Sequence, residues 1–282
     1  MHSNATIAKR SFDRPNLKIT IKRKPKNGVL GAFEQLVKEM ATIIVQQKNT
    51  TKGIPGKSTI VYVSTKREVE EVTQSIISSL AHHLVRLNGN NTTLSVGEAD
   101  QIASVFVRAY HAGFSHSHRT QAHTDFLIGK ASIIVATVAF GMGIDKPDIR
   151  RVFHWGACKT VEEYYQQMGR AGRDGLKAEC TMFCEASDFS KFQSDFYLGS
   201  LSGEAKLATI RSMDALKDFA MSTEGCRRAS LLKFFDETPL FGNWCGTCDL
   251  CLARKNYVDD FERDFRKFTL CLKKVDACVH VN

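Results

Sequence analysis

An α/β layer fold with a parallel sheet flanked by helices, followed by a small helical subdomain with a four-cysteine metal site, is the architecture this sequence predicts. Three observations predict it. Apolar runs at 59–63, 105–110, 133–137, 151–155 and 179–184 alternate with stretches of helical periodicity, and such alternation builds parallel sheets covered by helices. After Phe189 the strands cease and only helical patterning continues. Within that last part stand Cys226, Cys245, Cys248 and Cys251, spaced C-x18-C-x2-C-x2-C.

Taken in order, residues 1–28 form a polar, basic segment with one candidate strand at 17–21. Lys9, Arg10, Arg14, Lys18, Lys22, Arg23, Lys24 and Lys26 face only Asp13 there. Phe33, Leu36, Val37, Met40, Ile43 and Ile44 then fall on one face of a helix over 30–47. A loop over 49–57 leads to Thr59–Val63, whose unbroken apolar character marks a strand buried on both faces. Val69, Val72, Ile76, Ile77 and Leu80 describe a second amphipathic helix. Residues 82–104, with Asn88-Gly89-Asn90-Asn91 inside them, read as a loop-containing insertion. A strand over 105–110, a helix ending near Leu127, and a strand over 133–137 follow. Two more strands, 151–155 and 179–184, enclose the helix opened by Val161-Glu162-Glu163-Tyr164-Tyr165. Leu207, Ile210, Met213, Leu216 and Ala220 line one face of a later helix, and another surrounds Leu231–Phe235. Phe261, Phe265, Phe268 and Leu272 recur at helical spacing in a tail over 256–282. The expected organisation is thus 1–28, an α/β domain over 29–200, a metal-binding subdomain over 201–255, and the tail.

Composition narrows the partners. A net charge of +9 in 282 residues favours a polyanion, of which nucleic acid is the commonest. No apolar run is long enough to span a bilayer, and the opening Met-His-Ser-Asn-Ala-Thr lacks the apolar core of a signal peptide. Nine cysteines without that signal point to a reducing, intracellular setting and not to a disulfide framework.

The cysteine quartet carries the strongest local chemistry. A Cys-x-x-Cys turn lets two thiolates reach one tetrahedral ion, and four sulfurs close the coordination shell, so the site fits a structural zinc. Cys180 and Cys184 read as sheet core. His116, His118 and His123 read as solvated or hydrogen-bonding histidines. Gly53-Ile54-Pro55-Gly56-Lys57-Ser58 imitates a phosphate loop, but only two residues separate its glycines and it leads into a strand. No acidic magnesium-binding box occurs in the sequence.

Three segments fall at strand carboxyl ends, where open α/β sheets bind ligands. They are Ser64-Thr65-Lys66-Arg67, Tyr110-His111-Ala112-Gly113, and the Gly-rich run from Ile133 to Pro147. A fourth segment, Gln166-Gln167-Met168-Gly169-Arg170-Ala171-Gly172-Arg173-Asp174-Gly175, sets two planar guanidinium forks behind glycines, an arrangement suited to charge developing on a phosphoryl group.

Together with Ser11-Phe12-Asp13-Arg14-Pro15-Asn16 and Cys226-Arg227-Arg228, these motifs closely resemble RecQ-family DNA helicases over roughly residues 11–255. The resemblance implies a second RecA-like lobe followed by a zinc-binding subdomain, and a tail that begins a winged-helix domain. It implies that Arg173 is an arginine finger for a γ-phosphate, with Arg170 and Gln166 supporting the nucleotide cleft and Asp145 and Gly143 at the Gly-rich nucleotide motif. Ser64, Thr65, Arg67, His111, Gly113 and Thr137 would grip the backbone of a DNA strand. The implied activity is ATP-dependent 3′–5′ unwinding of single-stranded or forked DNA in repair and recombination. ATP and Mg²⁺ would bind only with a first RecA-like lobe, absent from this sequence. Alone the chain is expected to be a monomer, inactive in ATP hydrolysis and a weak, salt-sensitive DNA binder. A nuclear location is expected from the insertion over 82–104. The competing reading is a non-catalytic DNA- or protein-binding paralogue; retention of both arginines argues against it.

Overall fold

A computed structural model describes residues 11–46, 57–88, 94–141 and 144–258. They fall into two compact units, Arg14–Met221 and a smaller one in which residues 11–13 join the segment from Ser222 onward.

In the larger unit six strands form one wholly parallel sheet: β1 (Leu17–Lys22), β2 (Thr59–Val63), β3 (Val107–Tyr110), β4 (Ile133–Ala136), β5 (Arg151–Trp155) and β6 (Ala178–Phe183). Their spatial order is β1-β6-β5-β2-β4-β3. β2 and β4 are neighbouring interior strands and every residue of both is buried, which is why their sequences are unbroken apolar runs and not alternating ones.

Helices α1 (Gly28–Gln46) and α2 (Lys66–Asn88) pack on one face of the sheet. α1 buries Phe33, Leu36, Val37, Met40, Ala41 and Ile44, the stripe its spacing predicts, with Ala41 in place of a half-buried Ile43. Phe33 stands edge-on to Phe153, centroids 5.5 Å apart, and joins Val61, Val63, Ile76, Leu80, Ile133 and Val135 in one core. On the opposite face α4 (His116–Leu127) and the loop after β4 bring Phe126 and Phe140 together. α5 (Val161–Met168) buries Tyr164 and Gln167. Short helices α6 (Ala186–Ser190) and α7 (Asp195–Leu198) lead to α8 (Gly203–Met221).

The segment over 82–104 departs from expectation. α2 continues to Asn88, and α3 (Val96–Phe106) fills the stretch before β3. Val105 and Phe106 therefore close a helix instead of opening a strand. α3 starts with a reciprocal capping box between Ser95 and Glu98, buries Ala99 and Ala103, and packs half-buried Ile102 and Phe106 against the same core. Its stripe, Ala99-Ile102-Ala103-Phe106, runs without a break into β3 at Val107, so its apolar end reads equally well as strand. Leu207, expected on the buried face of α8, is exposed, and Ser212 and Phe219 complete that face. Most of the false phosphate loop and the tail beyond Val258 lie outside the described residues.

In the smaller unit α9 (Arg227–Phe234) follows Cys226. Phe12 stacks on Phe235 at 4.5 Å, the Asp13 carboxylate pairs with Arg228, and the Phe12 N–H donates to Glu237 (2.7 Å). Residues 11–13 are thus packed on this unit although more than two hundred residues separate them from it in sequence.

Candidate functional site

The carboxyl edge of the larger unit gathers most of the residues singled out by sequence. α5 opens at Thr160, whose side chain accepts from the Glu163 N–H, and closes at Gly169. Beyond it the chain turns tightly through Arg170 to Gly175. Gly172 has φ +55°, and a Cβ there would come within 2.5 Å of Asn16 Nδ2 and 2.7 Å of the Leu176 carbonyl, so only glycine fits. The turn lays Arg173 along the Gly-rich loop: Nη1 donates to the Ile144 carbonyl (2.7 Å) and lies 3.7 Å from the Asp145 carboxylate, which is almost fully exposed. Arg170 reaches the same loop, its Nη2 being 3.4 Å from where a Cβ on Gly141 would stand. Arg170, Arg173 and Asp145 therefore converge. Gln166 is exposed beside them on α5, and Gly143 lies outside the described residues.

Two residues that the sequence reading left without a role hold this turn. The Arg14 guanidinium donates to the carbonyls of Gly169 (3.2 Å), Ala171 (2.8 Å) and Gly172 (3.1 Å). Asn16 Nδ2 donates to Gly172 (2.8 Å) and Leu176 (2.9 Å). Their only signal was membership of the Ser11–Asn16 motif.

The strand ends beside the turn are less uniform than the motifs imply. Thr65 and Glu68 form a reciprocal cap on α2: the Thr65 hydroxyl accepts from the Glu68 N–H (3.1 Å), and Glu68 Oε2 accepts from the N–H groups of Ser64 (3.0 Å) and Thr65 (2.8 Å). Ser64 Oγ accepts from Lys191 Nζ (2.8 Å), a partner no motif indicated. Arg67 is exposed and paired with Glu71. His111 is buried at 4% exposure; its Nδ1 accepts from the Gly113 N–H (3.1 Å) and its Nε2 lies 3.2 Å from Glu70. Gly113 is exposed, and a Cβ on it would press on the His111 ring at 3.1 Å and on Lys66 Cδ at 3.3 Å. Thr137 donates its N–H to the Tyr110 carbonyl (3.3 Å), tying the ends of β4 and β3. Below them Tyr62 donates its hydroxyl to the Phe140 carbonyl (2.8 Å), and burial pushes that phenol upward in pKa. A cavity of about 200 Å³ opens between Ser64, Cys158, Lys159, Glu163 and Gln167. Burial raises the Glu163 carboxyl there, against hydrogen bonds from the Lys159 N–H and Gln167.

In the smaller unit the four predicted sulfurs come together. One ligand atom from each of Cys226, Cys245, Cys248 and Cys251 lies within 4.8 Å of every other, the single such group of metal-binding side chains among the described residues. Cys245 and Cys251 sulfurs are 3.8 Å apart. That is far too long for a disulfide and equals the edge, about 3.8 Å, of a tetrahedron with Zn–S bonds of about 2.3 Å. Backbone N–H groups of Ala229 and Cys245 point at the Cys226 sulfur (3.5 and 3.4 Å). The hydrogen bond between the Cys248 and Cys245 thiols holds Cys245 well below its ordinary range, with Thr247 adding to it, and pushes Cys248 above its own. Arg227, buried, forks onto Asp249 between two of the cysteines (3.1 Å) and fixes that loop. Cys180 and Cys184 are buried and stand apart from this group.

The matches to known proteins cover both the arginine turn and the cysteine cluster. The helicase conserved C-terminal domain matches residues 37–175, and the RecQ zinc-binding region matches residues 186–252. The chain belongs to the RecQ helicases. Its curated relatives include the ATP-dependent DNA helicase RecQ of Haemophilus influenzae, 31% identical over 95% of this chain and 36% of the relative. The ATP-dependent helicase wrn-1 of Caenorhabditis elegans is 35% identical over 90% of this chain and 21% of its own length. An Acanthamoeba polyphaga mimivirus protein, provisionally described as an ATP-dependent RNA helicase, is 36% identical over 89% of this chain and 38% of its own. The chain thus spans between about a fifth and two fifths of the length of these relatives. Among its described residues no helix is long and apolar enough to cross a membrane.

Proposed function

We propose that this chain is the second lobe and zinc subdomain of the motor core of an ATP-dependent 3′–5′ DNA helicase, serving duplex unwinding in repair and recombination. The observation that carries the reading is the arginine turn laid along the Gly-rich loop, with Arg173 between the Ile144 carbonyl and Asp145. Arg173 is a finger without a strong partner. A neutral carbonyl and a distant, solvated carboxylate are weak competitors for a guanidinium that can fork onto phosphate oxygens. ATP, held mainly by a first lobe, supplies the phosphoryl group; Arg173 stabilises charge on it and Arg170 and Gln166 line the cleft.

The same loop carries Thr137 at its start and Asp145 at its end, and Tyr62 pins its middle at Phe140. A change of partner at Arg173 therefore acts on a loop whose other end lies on the strand-binding edge. Ser64, Thr65, Arg67, Gly113 and Thr137 would hold the DNA backbone there, with His111 supporting Gly113 from within. The four cysteines hold one structural zinc, a closed site with no open position for water. We place the protein in the nucleus and the isolated chain as a monomer, readings open to microscopy and sedimentation.

The test joins this chain to a first lobe and compares it with Arg173→Ala. ATP turnover is expected to fall by about a thousandfold or more while DNA binding persists. Undiminished turnover would remove Arg173 from the mechanism. Parallel stimulation with DNA and RNA strands checks the substrate, and stronger activation by RNA would overturn the DNA assignment.

A further inference from the structure

Between β3 and α4 the chain builds a ladder of three rings that the phosphate-gripping residues do not account for. His111 and Phe114 stack with centroids 3.8 Å apart and planes 19° apart; Phe114 and His118 follow at 4.2 Å and 14°. The inner end is locked, since His111 is buried between the Gly113 N–H and Glu70. The step between rings is fixed by the Phe114 N–H donating to the His111 carbonyl (3.1 Å) and by Ser115 Oγ accepting from the His118 N–H (3.2 Å). The outer end, His118, is exposed in the first turn of α4.

A flat ring held in place on one side and open on the other is a seat for another flat ring. Its conformational freedom has already been spent in folding, so a ligand that stacks on it need not order it again. The charge around it is positive. Lys66 lies against Gly113 and Arg119 follows His118 directly; among the described residues Lys66 has no ion-pair partner and the buried Arg119 Nε has no hydrogen-bond partner. Arg119 also lines a cavity of about 230 Å³ with Tyr110, His123 and Phe140. An aromatic face beside unneutralised cations is the combination that holds single-stranded nucleic acid, through base stacking and backbone charge together.

We propose that His118 is a base-stacking residue: a nucleobase of a single strand seats on its outer face, with neighbouring phosphates drawn to Lys66 and Arg119. This rests on the reading that the carboxyl edge binds a nucleic-acid strand, and it adds a contact to the base where that reading has contacts only to the backbone. The ladder discriminates single strands from duplex interiors, where stacking on neighbouring pairs already covers both faces of each base.

The 282-residue chain, titrated with a single-stranded oligonucleotide carrying 2-aminopurine, tests this across a range of salt concentrations. His118→Ala is expected to weaken binding at least about fivefold with the salt slope unchanged, since stacking releases no counterion. His118→Trp restores the affinity, and Lys66→Gln instead lowers the slope by about 0.7. Photocrosslinking from a 5-iodouracil strand is expected to mark residue 118. His118 is exposed, so a matching circular dichroism melt confirms that the variants fold. Wild-type affinity in His118→Ala, or a reduced salt slope, would overturn the stacking role while leaving nucleic-acid binding intact. If the wild-type chain binds no oligonucleotide even at low salt, the strand-binding reading falls and this proposal falls with it.

Discussion

Arg14 and Gly172 act on the arginine turn from opposite sides. Arg14 satisfies three carbonyls that the tight backbone leaves pointing the same way, and a charged donor to each adds more than a neutral one would. Arg14→Ala is expected to cost the larger unit about 2–3 kcal/mol, read by denaturant unfolding. It should also raise amide exchange at residues 169–176 and cut ATP turnover in a two-lobed protein, with DNA affinity retained. Lysine is not expected to rescue it, since one ammonium lacks the planar spread of a guanidinium. Gly172→Ala meets both a positive φ and a Cβ overlap with Asn16, so a loss of at least about 1–2 kcal/mol is expected in thermal melts. Arg14 was invisible to spacing arguments. Its targets lie some 155 residues away and are backbone carbonyls, which carry no sequence signature.

Strands and helices show where patterning suffices. β2 and β4 were legible because burial on both faces demands apolar residues at every position. α1 was legible because one face meets the core at every turn. α3 was not legible because its stripe of Ala99, Ile102, Ala103 and Phe106 runs straight into β3, and the apolar join reads as one strand. The capping pair Ser95 and Glu98 was its available signal. In α2, Leu80 is fully buried, and Leu80→Ala is expected to cost about 2–5 kcal/mol by denaturant titration. The cysteine loop belongs to this scale too, because its ligands are local. Cys248→Ser, or chelation of the wild type, is expected to remove one equivalent of zinc and deprotect amides over 226–251 in hydrogen exchange. A protein that stays protected there without metal would sink the zinc assignment.

Across the whole molecule, His154 ties stability to pH. It is wholly buried in β5, between Tyr62 and Tyr164, and burial pushes its pKa down to about 3 from an ordinary 6.5. The unfolded chain takes up a proton below 6.5 that the folded chain refuses until about 3. Stability is therefore intact above 6.5 and is lost as pH falls through that window, by as much as about 4–5 kcal/mol. His154→Phe should flatten this part of the acid-unfolding profile; an unchanged slope would show that other groups set it.

The layer architecture, the four-cysteine cluster and the RecQ kinship were all legible in the sequence. Each of these depends on residues close along the chain or on a periodicity that burial imposes. Tertiary structure alone decided that Arg173 lies on Asp145 and the Ile144 carbonyl, that Arg14 and Asn16 brace its turn, and that His118 ends a stacked ladder. The arginine contacts join segments 29 to 158 residues apart, mainly through backbone carbonyls, and the ladder, though local, is made by ring faces. Such groups are present in every residue or in every aromatic, so only folding selects which of them meet.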